Sequence, residues 1–202
     1  MRFTSAANPG DLTHVTTSGS DRGVISNSSV KLPQNVLADL RTDHAGEVGA
    51  IQIYQGVLFF ARDPALRAFA TKHLVTERRH LRNIELWLPS SHYSRLLPVW
   101  RLAGFLTGAV PALIGPKAVY ATIEAVETFV YRHYNEQIQT LASIPSLESL
   151  RLTLLSCQID EETHREEAVI AFGSVKRDIL LRAWCAIVAA GSAAAVTVSR
   201  IV

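Results

Sequence analysis

Charge is scarce in this chain of 202 residues: 19% are charged, and 20 basic against 18 acidic side chains leave a formal net charge of +2. That balance offers no extended basic face for a phosphate backbone, so no nucleic acid is expected as a partner. Disorder as the dominant state is excluded as well, because 48% of the residues are apolar. Cysteine is nearly missing. Cys157 and Cys185 cannot support a disulfide scaffold, and they fit a reducing compartment. Strand-like alternation is hard to find. There is no Gly-rich dinucleotide fingerprint, and no apolar h-region of a secretory signal follows the start.

What the chain does have is a mildly apolar average, with a mean hydropathy of +0.16. Residues 1–34 are rich in Ser, Thr, Gly and Asn and are expected to form a flexible tail, leaving residues 35–202 as one domain. Two later stretches are apolar. Leu96–Gly115 contains Pro98, Arg101 and Pro111, and Ala183–Ser199 lies between Arg182 and Arg200. Neither gives the uninterrupted ~20 apolar residues of a spanning helix, and Pro111 is expected to break the first. Two fates remain open for them: helices packed on the core, or helices lying in a membrane interface. Lys176, Arg177, Arg182 and Arg200 flank the second as anionic headgroups would favour.

Elsewhere a period of three to four dominates, so the expected fold is all-α. Helices are predicted over Pro33–Ala61, Pro64–Leu88, Gly115–Leu141 and Ser146–Gly173, with Ser146 as an N-cap, and a fifth over Lys176–Arg200. Each of the first four carries a stripe suited to an antiparallel bundle. Helix one offers Leu40, Glu47, Tyr54 and Val57; helix two Ala70, His73, Glu77, His80 and Ile84. Helix three offers Ile123, Glu127, Val130 and Tyr134; helix four Leu154, Cys157, Glu161, His164, Ala168 and Ala171. In every stripe an acid or histidine interrupts the apolar run, and a buried carboxylate must pair or hold a cation.

Glu77-Arg78-Arg79-His80 and Glu161-Glu162-Thr163-His164 are both Glu-x-x-His. On a helix, i and i+3 share a face, so both side chains can reach one ion. One such pair alone is usually a solvated face. Here Glu47 precedes Glu77 by 30 residues and Glu127 precedes Glu161 by 34, so the pattern Glu…Glu-x-x-His occurs twice. Within each predicted hairpin the ligands also lie equally far from the turn. The 50 residues between Glu77 and Glu127 suit the long crossover of a ferritin-like four-helix bundle. Glu47, Glu77, His80, Glu127, Glu161 and His164 are therefore candidate ligands for two iron or manganese ions, with hard oxygen donors and one imidazole per metal. Asp160 could orient a ligating imidazole or be a plain surface acid. Asp43 and His44 flank Glu47 and could support it; His73 reads as a core histidine, and His92 and His133 as surface or hydrogen-bonding residues. Tyr54, Tyr120 and Tyr134 read as core aromatics, with a phenol beside the metals as the alternative.

At these residues the chain resembles the demethoxyubiquinone hydroxylases, the di-iron enzymes of ubiquinone biosynthesis. The resemblance rests on Leu40–Ala50 (LRTDHAGEVGA), Glu77–His80, Ala125–Thr128 (AVET), His133–Ile138 (HYNEQI) and Asp160–His164 (DEETH). The apolar run after Pro98 and the C-terminal helix share in it. It implies two iron ions per chain on the same six residues, with Glu77 and Glu161 bridging. It also implies an O2-dependent monooxygenase acting on a polyprenyl quinone, with an external electron donor such as NADH. The expected address is peripheral, on the cytoplasmic face of a bacterial membrane or the matrix side of the mitochondrial inner membrane; an oligomer stays open. The rival readings are a ferroxidase or peroxide-scavenging bundle, a di-iron tRNA hydroxylase and a non-catalytic membrane-binding bundle.

Overall fold

The computed structural model describes residues 31–202. Nearly all of the expected tail, residues 1–34, lies outside the described residues; Gln34 already belongs to the first helix. Six α-helices follow: α1 (Gln34–Phe60), α2 (Pro64–Glu85), α3 (Leu97–Ile114), α4 (Pro116–Leu141), α5 (Glu148–Phe172) and α6 (Ile179–Ser199). Among the described residues there is no strand, so the all-α expectation holds.

Local chemistry sets the ends. The Asp63 carboxylate accepts from the Leu66 N–H at 2.8 Å, and Pro64 takes the first helical position, where its missing N–H costs nothing. Arg67 reaches back to the carbonyls of Leu58 and Ala61, which the end of α1 leaves open. Gly115 turns the chain between α3 and α4 at φ 140°, a conformation that favours glycine. Two expected starts are corrected. Ser146 is not an N-cap but lies in a 3-10 turn, Pro145–Leu147, that precedes α5. The last helix starts at Ile179, not Lys176, because Asp178 caps it through the Leu181 N–H at 2.8 Å.

The core has two ends, with the titratable residues between them. At one end Val36, Leu37 and Leu40 of α1 meet Ile84 of α2, Ile138 and Leu141 of α4, and Leu150 and Leu154 of α5. At the other, Tyr54 and Val57 meet Leu66, Ala70, Val119, Tyr120, Ala168 and Phe172. The start of α1 thus meets the end of α2, and the end of α4 meets the start of α5, so each pair is an antiparallel hairpin. Each fully buried leucine, such as Leu40 or Leu150, contributes about 2 kcal/mol of apolar burial. Ala171, expected on the buried stripe, is exposed; Phe172 takes its place.

The crossover between the hairpins is α3, and it runs alongside α1 in the same direction. Gly104 lies against Gly49 and Gly108 against Ile53; a Cβ at Gly108 would fall 1.9 Å from the Ile53 carbonyl oxygen. Pro111 does not break this helix, which continues to Ile114 with Pro111 buried. A proline this near the C-terminus removes one ladder bond, and packing against α1 offsets that loss. α6 returns along α4 and α1: the Trp184 indole donates to Thr122 at 2.8 Å, and Arg200 pairs with Asp39 at 2.5 Å. Neither apolar helix is a core helix. Leu102 and Leu113 of α3 and Leu180 and Ile187 of α6 are each more than 60% exposed. Both helices are long and apolar enough by length and composition to cross a membrane.

Candidate metal centre

α1 supplies Glu47, α2 supplies Glu77 and His80, α4 supplies Glu127, and α5 supplies Glu161 and His164. All six are buried. The structure brings them together in two overlapping groups: Glu47, Glu77, His80 and Glu161, and Glu77, Glu127, Glu161 and His164. Within each group the donor atoms lie within 4.8 Å of one another. Glu77 and Glu161 belong to both. The His80 Nδ1 is 3.0 Å from Glu161 Oε1 and 3.8 Å from carboxylate oxygens of Glu47 and Glu77. The His164 Nδ1 is 3.0 Å from Glu77 Oε1 and 3.2 Å from Glu161 Oε2.

These residues fit a pair of cations. Glu47 Oε2, Glu77 Oε1, Glu161 Oε2, His80 Nδ1 and His164 Nδ1 are buried without a hydrogen-bond partner. Leaving one such group unsatisfied costs about 1–3 kcal/mol, and five at one point call for a ligand. The electrostatics agree. Burial pushes the Glu47 and Glu127 carboxyls well above the usual carboxylate range. Burial also pulls the His80 imidazole down, but Glu161, Glu47 and Glu77 outweigh it and lift it to about 10. His164 is lifted to about 11 in the same way by Glu161 and Glu77. Glu161 shows the converse: burial raises it, and the two imidazoles bring it down to about 2. Positive charge is what this cluster lacks, and divalent metal would supply it.

Three of the six are held by residues outside the cluster. The Tyr134 hydroxyl of α4 donates to Glu47 of α1, and the Tyr54 hydroxyl of α1 donates to Glu127 of α4 at 3.1 Å. Each phenol thus serves the acid of the opposite helix, so the alternative of phenols beside the site describes Tyr54 and Tyr134. Tyr120 packs on Phe69 as a core aromatic. Asp160 orients an imidazole: His80 Nε2 donates to it at 3.0 Å. His73 is buried, with its ring against His164 and its Nε2 3.1 Å from Glu167. His44 stacks on Tyr93 and faces Glu85, so it does not support Glu47. Asp43 turns to Gln137 and His133 instead, at 2.6 and 3.2 Å. Gln137 lies within the HYNEQI segment, but neither its residue type nor its spacing marks it as the partner of Asp43.

Beside the cluster lies a cavity of about 390 Å³. Glu47, Glu77, Glu127 and Glu161 line one part of it, and its walls are α1, α4 and the two apolar helices. Trp100, Ala103 and Gly104 come from α3; Trp184, Ile187, Val188 and Ala195 come from α6.

Fold and site together define a helical bundle with a buried carboxylate–imidazole centre able to hold metal, opening on an apolar cavity. Residues 34–199 match the family described as "Ubiquinone biosynthesis protein COQ7", and the chain belongs to that family. It is 31% identical over 141 residues to the NADPH-dependent 3-demethoxyubiquinone 3-hydroxylase, mitochondrial, of Caenorhabditis elegans, covering 68% of this chain and 75% of that one. It is 32% identical over 158 residues to the protein of the same name from Dictyostelium discoideum, covering 68% and 71%. It is 32% identical over 132 residues to the 3-demethoxyubiquinol 3-hydroxylase of Rhodospirillum rubrum, covering 63% and 60%.

Proposed function

We propose that this chain is a di-iron monooxygenase that hydroxylates the ring of a demethoxyubiquinol in ubiquinone biosynthesis. One observation carries this reading: the buried carboxylates face an apolar cavity walled by the two exposed apolar helices. An iron-storing bundle has no use for such a cavity, whereas a quinone with a polyprenyl tail needs one.

Glu47, Glu77, His80, Glu127, Glu161 and His164 would hold the metal, with Glu77 and Glu161 shared between the two positions. When bound, reduced iron supplies the electrons and open coordination positions that activate O2. The chain's own part is geometry and exclusion. Tyr134 and Tyr54 fix the carboxylates that belong to one group each. Asp160 fixes the tautomer of His80 by accepting from Nε2, which leaves Nδ1 free to bind. Trp100, Val126 and Val188 on the cavity wall keep water from the oxidising site.

The exposed faces of α3 and α6 let the bundle rest on a membrane surface and take its substrate from the lipid. That surface faces the bacterial cytoplasm or the mitochondrial matrix. The electron donor is external; two of the relatives are named as NADPH-dependent.

The test is turnover of iron-loaded protein with a demethoxyquinol, O2 and reductant. Hydroxylated product from the wild type, and none from a helical Glu127→Ala variant, supports the reading. Iron oxidation without any quinone product would favour a ferroxidase, and protein that binds no metal would sink both.

A further inference from the structure

Of the cavity-wall residues outside the metal cluster, Asp43, Trp100 and Ser199 each have a side-chain polar atom buried without a partner. Asp43 is already held through its other oxygen by Gln137, so Trp100 and Ser199 are the two whose side chains bond to nothing. Their neighbours show that this is not the local habit. Trp184, the other tryptophan lining the cavity, donates its indole N–H to Thr122 at 2.8 Å. Thr197, two residues before Ser199, donates its hydroxyl to the Ala193 carbonyl at 2.9 Å. Thr107 of α3 does the same to Ala103. Ser199 is 1% exposed and makes no such bond. A buried donor left unmade costs stability, so an orphan on a cavity wall calls for a ligand atom.

Both residues sit at the same end of the cavity. Gly104 lies against Gly49, which places Trp100, one turn earlier on a helix parallel to α1, near the start of the metal-binding level. Arg200 pairs with Asp39, and Arg41 donates to the Arg200 carbonyl, which places Ser199 at the same end. α3 and α6 therefore present one donor each from two walls, with Glu47 lining the same cavity.

We propose that the Trp100 indole N–H and the Ser199 hydroxyl hydrogen-bond to the ring oxygens of the quinone substrate and set which ring carbon faces the metal cluster. The chemistry matches both redox states. The indole only donates, and a carbonyl or a hydroxyl oxygen can accept from it. The serine hydroxyl donates or accepts, so it adapts when the ring passes from quinone to quinol. Thr42, Thr107 and Tyr134 on the same wall already donate within the protein, and most of the rest is apolar, so orientation falls to these two groups.

This inference rests on the function proposed above, and the test separates the two. Binding of a short-tailed demethoxyquinone is measured on iron-loaded wild type, Trp100→Phe and Ser199→Ala, beside an analogue whose ring oxygens are replaced by hydrogen. Each variant should keep its helical signal and iron content and bind the quinone roughly 3- to 10-fold more weakly. The oxygen-free analogue should bind wild type and variants alike. If wild type binds and hydroxylates the quinone, and both variants match it in affinity and product position, this proposal fails while the function stands. If wild type binds no quinone, the function itself fails. Should Trp100→Phe not fold, Ser199→Ala and the analogue still decide: wild type that binds quinone and analogue equally overturns the proposal.

Discussion

His80 Nε2 donates to Asp160 Oδ2 across 3.0 Å, joining α2 to α5 between residues 80 positions apart. Arg79 holds the same oxygen at 2.7 Å, so the acceptor is fixed from two sides. With its outer nitrogen engaged, His80 turns Nδ1 toward Glu161, Glu47 and Glu77. An Asp160→Asn variant offers His80 a weaker, uncharged acceptor. Its affinity for Fe(II) should fall roughly 10- to 100-fold, measured by anaerobic titration. Unchanged affinity would make Asp160 a surface acid.

Tyr54→Phe removes the one donor to Glu127 Oε1. The ring still packs on Phe69 and His73, so little apolar contact is lost. In metal-free protein the cost should be about 1–2 kcal/mol, read as a lower urea midpoint with an unchanged slope. A variant as stable as wild type would show that Glu127 does not need the phenol.

Gly108→Ala tests the contact of α3 with α1. Its Cβ would meet the Ile53 backbone at 1.9 Å, and backbone cannot swing aside as a side-chain tip can. The helices must separate, at a cost of at least about 2 kcal/mol in thermal or denaturant unfolding. Gly46→Ala is the control, because nothing lies within 4 Å of a Cβ there.

Metal loading should release protons. In the metal-free protein the carboxylates around His80 and His164 keep both imidazoles protonated up to about pH 10, and burial keeps protons on Glu47 and Glu127. The metal takes the deprotonated forms, so its apparent affinity rises with pH through the neutral range and falls as pH is lowered. Calorimetric titration in two buffers of different ionisation enthalpy should give different apparent heats. Equal heats would mean that the groups lose no protons to the metal.

Much of the centre was legible in one dimension because a helix is a regular object. Glu77 with His80, and Glu161 with His164, must share a face at a spacing of three. Glu47 and Glu127 sit at matching depths because short turns leave each hairpin little freedom. The ends of the elements were less legible. Ser146 has the chemistry of a cap, yet the chain tightens into a 3-10 turn there, and Asp178 caps α6 where no periodicity marked it. Pro111 has the chemistry of a breaker, yet helix packing overrides it.

Beyond the cluster itself, most pairings between helices were not legible. His44 stands three residues from Glu47, but rotation along α1 points it to Tyr93 and Glu85. Tyr134 stands 87 residues from Glu47 and yet bonds to it. The sequence by itself determined the helices, the six candidate ligands and the apolar excess of 96–115 and 183–199, since each follows from spacing and residue type along one chain. The tertiary structure decided that Glu77 and Glu161 are shared by two groups, that phenols and Asp160 hold the ligands, and that the apolar helices enclose a cavity beside them. Those depend on how helices rotate and pack against one another, which the side chains of all of them settle together.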